Sequence, residues 1–363
     1  MATNFTSFAG NQRAIKSDTA RRADFNEIPL ISLKSPKEEL LEQLRDACTR
    51  VGFFYIKDHD IPQEKITSVF ETAKLFFAQD PHIKNEVNYK KSKILRGYEP
   101  PAEVRTDETR KPDLNEAFNW GYEKSLDPFW PSSNDGPGKD LSSGIYVVHD
   151  AKQHIEWQDN PMSGPNVWPS QPGFRESIAD YYGGILGMAR QLIRLLAEVL
   201  GLPENFFDHL VSTPGAMGRL IHYPPQPASD PDALGIGAHT DIECFTILCQ
   251  GDVPALQILN VDGQWVEAPP IKGTFVVNIG DMLARWTNDK FISTVHRVWN
   301  TTGKERYSIP FFFGTNYDVT IKTLESCLAE GEKSKYEPIL AGDYVWQRLS
   351  ASRTDQKELR AAA

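Results

Sequence analysis

Residues 274–300 read TFVVNIGDMLARWTNDKFISTVHRVWN. Two β-rich runs bracket this stretch, Thr274–Ile279 and Val295–Asn300, each dense in β-branched residues. The same texture continues on both sides. Gly218–Tyr223, Phe245–Gln250, Leu256–Leu259 and Gln264–Glu267 precede it, and Tyr307–Thr315 follows. Turn signals such as Val261-Asp262-Gly263 separate the runs. Many short strands with regular turns predict a β-sandwich or barrel over the second half of the chain.

Upstream, the period changes from two to 3.6. Ser35-Pro36-Lys37-Glu38 predicts a helix start, with Ser35 as cap, Pro36 at the first helical position and Glu38 closing a capping box. Leu40, Leu44, Ala47 and Val51 keep one apolar face, Gly52 ends the helix, and Phe53–Ile56 reads as a strand. A second helix is predicted from Pro62 to Phe77. The clearest runs through Ile178, Tyr181, Ile185, Met188, Leu192, Leu195 and Val199, which share a stripe, and it ends at Gly201 and Pro203. Gly183-Gly184 inside it predicts close packing. Residues 85–172 read as irregular, part of them a lid or substrate loop. A helical region is predicted over Lys335–Leu349.

The 363 residues carry 39 Lys and Arg against 49 Asp and Glu, a net charge of −10. This acidic balance opposes nucleic-acid binding, which needs a basic face. No apolar window is long enough to span a membrane, and the N-terminus has no secretory signal. Four cysteines, Cys48, Cys244, Cys249 and Cys327, lie far apart with no C-x-x-C, which predicts free thiols and a cytoplasmic protein.

The chemistry concentrates in the β-rich half. In Gly237-Ala238-His239-Thr240-Asp241, an extended backbone would put His239 and Asp241 on one face. His296 follows in the run Ser293–Val298. Two histidines and one carboxylate with open positions are the facial triad of non-haem Fe(II) oxygenases. Taken alone, H-x-D fits a turn histidine with a capping aspartate. Ten residues on, Arg306-Tyr307-Ser308 offers a guanidinium fork and a hydroxyl on one strand face, a match for a carboxylate. Taken alone, R-x-S fits a surface ion pair. The ordered set H-x-D, H, R-x-S is specific.

At these residues the chain resembles the Fe(II)/2-oxoglutarate-dependent dioxygenases of the isopenicillin N synthase-like family, from about residue 29 to 349. The likeness extends to Ile28–Leu33, Asp46-Ala47 through Gly52–Tyr55, Arg96-Gly97-Tyr98, His222-Tyr223-Pro224-Pro225 and Asn278–Asp289. Ile221 stands where many relatives have Asn, and Ser32 where they often have Asp. The resemblance implies a mainly β fold with flanking α-helices around a distorted double-stranded β-helix, or jelly-roll, core. It implies one catalytic domain over 28–349, made of a helix-rich part (28–216), the core (217–323) and C-terminal helices (324–349). A flexible arm (1–27) would precede it and a polar tail (350–363) follow it.

By position, His239, Asp241 and His296 would hold Fe(II), while Arg306, Ser308 and Tyr223 would bind 2-oxoglutarate; O₂ completes the reaction. Glu243 is a rival carboxylate, but H-x-D is the family pattern. Substrate contacts are expected from Arg96, Phe118, Trp120, Arg219, His222 and Phe313, with Trp130 and Trp157 as further apolar candidates. The expected activity is hydroxylation, desaturation or ring closure of a small molecule in specialised-metabolite biosynthesis, releasing succinate and CO₂. No obligate protein partner is evident. Rival readings are an Fe(II) oxidase of the family that does not use 2-oxoglutarate, a non-catalytic jelly-roll binding protein, and a zinc hydrolase.

Overall fold

The computed structural model describes residues 3–6, 12–24, 27–107, 111–130, 162, 164–226 and 234–353. Trp157 and the tail beyond Arg353 lie outside them. Three strands open the chain, β1 (Thr3–Thr6), β2 (Gln12–Ile15) and β3 (Ser17–Arg22). This corrects the expected flexible arm. Their side chains are mostly polar and exposed, so no alternation betrays them; backbone pairing orders them, helped by Phe5, Ile15 and Ala20 packing on the cluster around Trp265. β1 pairs with β2, and β3 runs parallel to a strand of the core.

Two sheets form the core. The larger contains β4 (Leu30–Ser32), β5 (Phe53–Lys57), β6 (Gly97–Glu99), β7 (Glu116–Trp120) and β8 (Ala216–Tyr223). The smaller begins with β9 (Ile236–His239). The remaining strands are β10 (Phe245–Cys249), β11 (Leu256–Leu259), β12 (Gln264–Glu267), β13 (Thr274–Ile279), β14 (His296–Val298) and β15 (Arg306–Phe313). The larger sheet runs β4-β5-β13-β10-β15-β8-β7-β6 and the smaller β3-β12-β11-β14-β9. Together they make the distorted jelly roll. β6 and β7 correct the irregular reading of residues 85–172. Both are buried on two faces, so they lack a period-two pattern.

Helices cover the larger sheet. α1 (Lys37–Asp46) starts without a side-chain cap: Pro36 occupies the cap position itself, so Ser35 does not serve there. A π-turn then leads to Gly52, whose left-handed φ of +73° ends it. α2 (Gln63–Phe77) and α3 (Pro81–Asn85) follow. α4 (Phe174–Val199) packs on α1 and α2 with its predicted stripe buried. Its Gly183 faces Pro128 and its Gly184 faces Ile61, the close packing that the pair predicts. α5 (Asp281–Trp286) is a single short helix between β13 and β14. α6 (Ala341–Ala351) begins later than the predicted Lys335.

Candidate active site

Register brings the two histidines together. His296 on β14 lies directly opposite His239 at the end of β9, with ring centroids 4.1 Å apart. Strand β9 stops at His239, so Asp241 stands in the following loop instead of in extended backbone. That loop is held by α5. Asp281 N donates to Asp241 O at 2.8 Å, and Met282 N to Ile242 O at 3.0 Å. Gly280 is needed for this approach, since a Cβ there would stand 2.1 Å from Glu243 O.

The donor atoms converge. Asp241 Oδ1 is 3.5 Å from His239 Nε2 and 3.6 Å from His296 Nε2. Ligands of one first-row metal at about 2.1 Å stand roughly 3–4 Å apart, so the set fits such an ion. The outer shell prepares each donor. His239 Nδ1 donates to Gly237 O at 2.8 Å, and His296 Nδ1 to Thr294 O at 3.2 Å, which leaves both Nε2 lone pairs free. Burial, with the neighbouring His296, lowers the His239 pKa to about 4, so its imidazole is neutral at pH 7. Asp241 Oδ2 accepts from Thr246 Oγ1 and from Asn278 Nδ2, the latter at 2.7 Å. Thr246 and Asn278 are themselves register partners across β10 and β13. Burial pushes the Asp241 carboxyl up, but the two imidazoles and these hydrogen bonds outweigh it and hold it below its ordinary value.

A second polar cluster faces the same cavity from the larger sheet. Arg306 on β15 pairs in register with Tyr223 on β8, and its guanidinium sits 4.6 Å over the tyrosine ring. Arg306 Nε donates to Val253 O at 3.2 Å and Nη1 to Ser308 Oγ at 3.3 Å. Nη2 is buried with no partner, on a side chain 1% exposed. An orphaned charged donor inside a cavity suits a carboxylate ligand.

Arg96 and Arg219 also line the cavity, together with Tyr223, Glu243, Arg348 and Arg353. The other expected substrate contacts do not. Phe118 packs in the core against Phe76 and Phe174. Trp120 is fully buried against Gly218, where its ring leaves no room for a Cβ. His222 is held between Glu116 and Glu305 at 2.7 and 2.8 Å and stacks on Tyr307. Phe313 stacks on Phe245. Trp130 lies under Lys124, away from the cavity. These corrections share a cause. Apolar residues in an irregular segment are read equally well as pocket or core, and the unforeseen β7 takes Phe118 and Trp120 into the core. Glu243, the rival carboxylate, lines the cavity without joining the triad, and sequence reading missed Arg348 and Arg353 there, since nothing in their local pattern signals it.

Among the described residues no helix is long and apolar enough to cross a membrane. Residues 214–315 match the family model of the 2OG-Fe(II) oxygenase superfamily, and residues 28–171 match the N-terminal model of non-haem dioxygenases in morphine synthesis. The chain is 35% identical to the 2-oxoglutarate-Fe(II) type oxidoreductase ppzC of Metarhizium majus, over 93% of this chain and 90% of that protein. It is 37% identical to the 2-oxoglutarate-Fe(II) type oxidoreductase hxnY of Emericella nidulans, over 85% and 83%. Among solved structures, a full-length Neurospora crassa protein crystallised in complex with alpha-KG superimposes with a TM-score of 0.74 at 29% identity, over 91% of this chain and 98% of that one.

Proposed function

The chain belongs to the 2OG-Fe(II) oxygenase superfamily, and from that premise we propose that His239, Asp241 and His296 hold its Fe(II) and that Arg306, Ser308 and Tyr223 bind 2-oxoglutarate. The enzyme is an oxidoreductase acting on a small molecule. Bound iron supplies O₂ activation, coupling oxidative decarboxylation of 2-oxoglutarate to substrate oxidation with release of succinate and CO₂. The observation that carries the residue assignment is the convergence of both Nε2 atoms on Asp241 Oδ1, each imidazole fixed through its other nitrogen.

The chain's own residues do the rest. Arg306 and Ser308 would hold the distal carboxylate and so position the keto acid in the cavity. Tyr223 walls that end and keeps water out. Thr246 and Asn278 keep Asp241 Oδ2 occupied, so that Oδ1 faces the metal. Phe53, Ile94, Leu95, Val104 and Met217 give the cavity an apolar lining suited to a small substrate. We further infer one catalytic unit over 28–349 to which the N-terminal strands are added, and a cytoplasmic location, supported by four buried free thiols.

Calorimetric titration of Fe(II) and 2-oxoglutarate tests the assignment. His239→Ala is expected to lose Fe(II) binding, and Arg306→Gln to bind Fe(II) normally but 2-oxoglutarate about 10- to 100-fold more weakly. Unchanged 2-oxoglutarate affinity in folded Arg306→Gln would rule out this anchor.

A further inference from the structure

Five guanidinium groups line the cavity, from Arg96, Arg219, Arg306, Arg348 and Arg353. A buried charge without compensation is costly, so each of them calls for a counter-charge. Arg219 and Arg353 share the Glu99 carboxylate, each at 2.8 Å. Arg348 holds Asp281 at 2.8 Å. Arg306 is the group assigned above to the co-substrate. That leaves Arg96. It is 4% exposed, its Nε has no hydrogen-bond partner, and no carboxylate of a described residue stands within ion-pair distance of it.

The seat of Arg96 is built. A Cβ on Gly121 would stand 2.1 Å from Arg96 Nη2 and 2.2 Å from Cζ, so the guanidinium lies directly on bare backbone. Asn166 clamps that backbone from both sides, accepting from Gly121 N at 2.7 Å and donating to Gly121 O at 2.9 Å. The next residue, Gly97, has φ +107°, and a Cβ there would meet Val87 O at 2.2 Å. The chain can therefore turn into β6 only through glycine, which fixes where Arg96 leaves the backbone. On the same cavity Glu243 is 2% exposed, with Oε1 unpartnered and its carboxyl within electrostatic reach of Arg96 but beyond ion-pair distance. Tyr317 is buried beside Arg96. A guanidinium kept in place at this cost, and left without an ion-pair partner among the described residues, is arranged for an anion from outside.

We propose that Arg96 binds an acidic group of the substrate, so that the substrate is a small organic acid with an apolar body and the cavity holds two acids at once, one on Arg306 and one on Arg96. This rests on the assignment of Arg306 to 2-oxoglutarate. Glu243 offers the bound acid a second polar contact, for a hydroxyl or amide near its carboxylate. The apolar wall of Ile94, Leu95 and Val104 takes the remainder of the molecule.

The test uses the full chain loaded with Fe(II) and 2-oxoglutarate without oxygen. Benzoate, 3-phenylpropanoate, indole-3-carboxylate and hexanoate are titrated calorimetrically beside their methyl esters, and succinate release is then read in air. At least one acid is expected to bind and to stimulate succinate release, with its ester about 10- to 100-fold weaker, the worth of a charge-assisted hydrogen bond. Arg96→Gln is expected to lose that preference and keep its 2-oxoglutarate affinity. Arg96→Lys, which retains the charge without the fork, is expected to fall between and decides the matter if the glutamine variant does not fold. Acids binding no better than esters across the panel, or acid affinity unchanged in a folded Arg96 variant, would overturn the proposal. Failure of the Arg306 assignment reads differently: Arg306→Gln would then keep its 2-oxoglutarate affinity, whatever the acids do.

Discussion

At the scale of single residues, the motif H-x-D, H, R-x-S was legible because its members sit on or beside strands of fixed side-chain alternation. Their partners were not: Asn278 reaches Asp241 through the β10–β13 register, Thr246 through the fold of the loop that joins it to Asp241, and Gly237 through a main-chain oxygen, none of which a side-chain pattern encodes. Removing a partner is informative. Asn278→Ala strips one hydrogen bond from Asp241 Oδ2 and frees that carboxylate to rotate. Fe(II) affinity is expected to drop about 10- to 100-fold, read by metal titration.

Glu243 gives a pH signature of its own. Burial, reinforced by the nearby Asp241 carboxylate, raises its pKa from 4.5 to about 8. Between these values the folded chain keeps a proton that the unfolded chain has released. Stability of the metal-free protein therefore falls as pH rises through this window. Asp113, raised to about 6, acts in the same direction but at lower pH, and His239, lowered to about 4, acts only below 6.5. The interval from pH 6.5 to 8, below the range in which the buried cysteines act, thus isolates Glu243. Thermal unfolding with chelator is expected to show a declining midpoint there for the native chain and a flatter one for Glu243→Gln, which mimics the protonated acid.

At the scale of elements, strands β8 and β10 to β15 were read within a few residues, because β-branched and aromatic runs between Gly and Asp turns have one physical interpretation. The helices with apolar stripes were read equally well. Elements that lack a contrast between faces escaped: β6 and β7 are buried on both sides, and β1 to β3 are mostly polar. The Gly52 stop was legible as a helix end, but its tertiary role was not. A Cβ at Gly52 would stand 2.1 Å from Ile292 O and 2.6 Å from Thr294 Oγ1, just before His296. Gly52→Ala therefore meets both a left-handed φ and a backbone wall. A loss of about 2 kcal/mol or more is expected from the denaturant midpoint. Because the wall leads into β14, weaker Fe(II) binding should accompany it.

At the scale of the whole molecule, the N-terminal strands decide how the smaller sheet ends. β3 covers the outer edge of β12, which would otherwise present unpaired backbone groups to solvent. It also brings Asp18 to Arg297, whose guanidinium donates to Asp18 O and lies 4.1 Å over the Trp265 ring and 5.1 Å over that of Trp299. Arg297 is the neighbour of His296 on β14, so the arm braces the strand that carries a proposed ligand without touching the cavity. Deleting residues 1–22 removes the β3 ladder at about 1 kcal/mol per hydrogen bond, leaving a chain roughly 2–5 kcal/mol less stable. The bare β12 edge should then pair between molecules, seen as concentration-dependent light scattering below the unfolding temperature. Affinity for 2-oxoglutarate should survive, since Arg306, Ser308 and Tyr223 lie on the other sheet. A deletion variant that melts like the full chain and stays monomeric would show that β3 merely rests on the core.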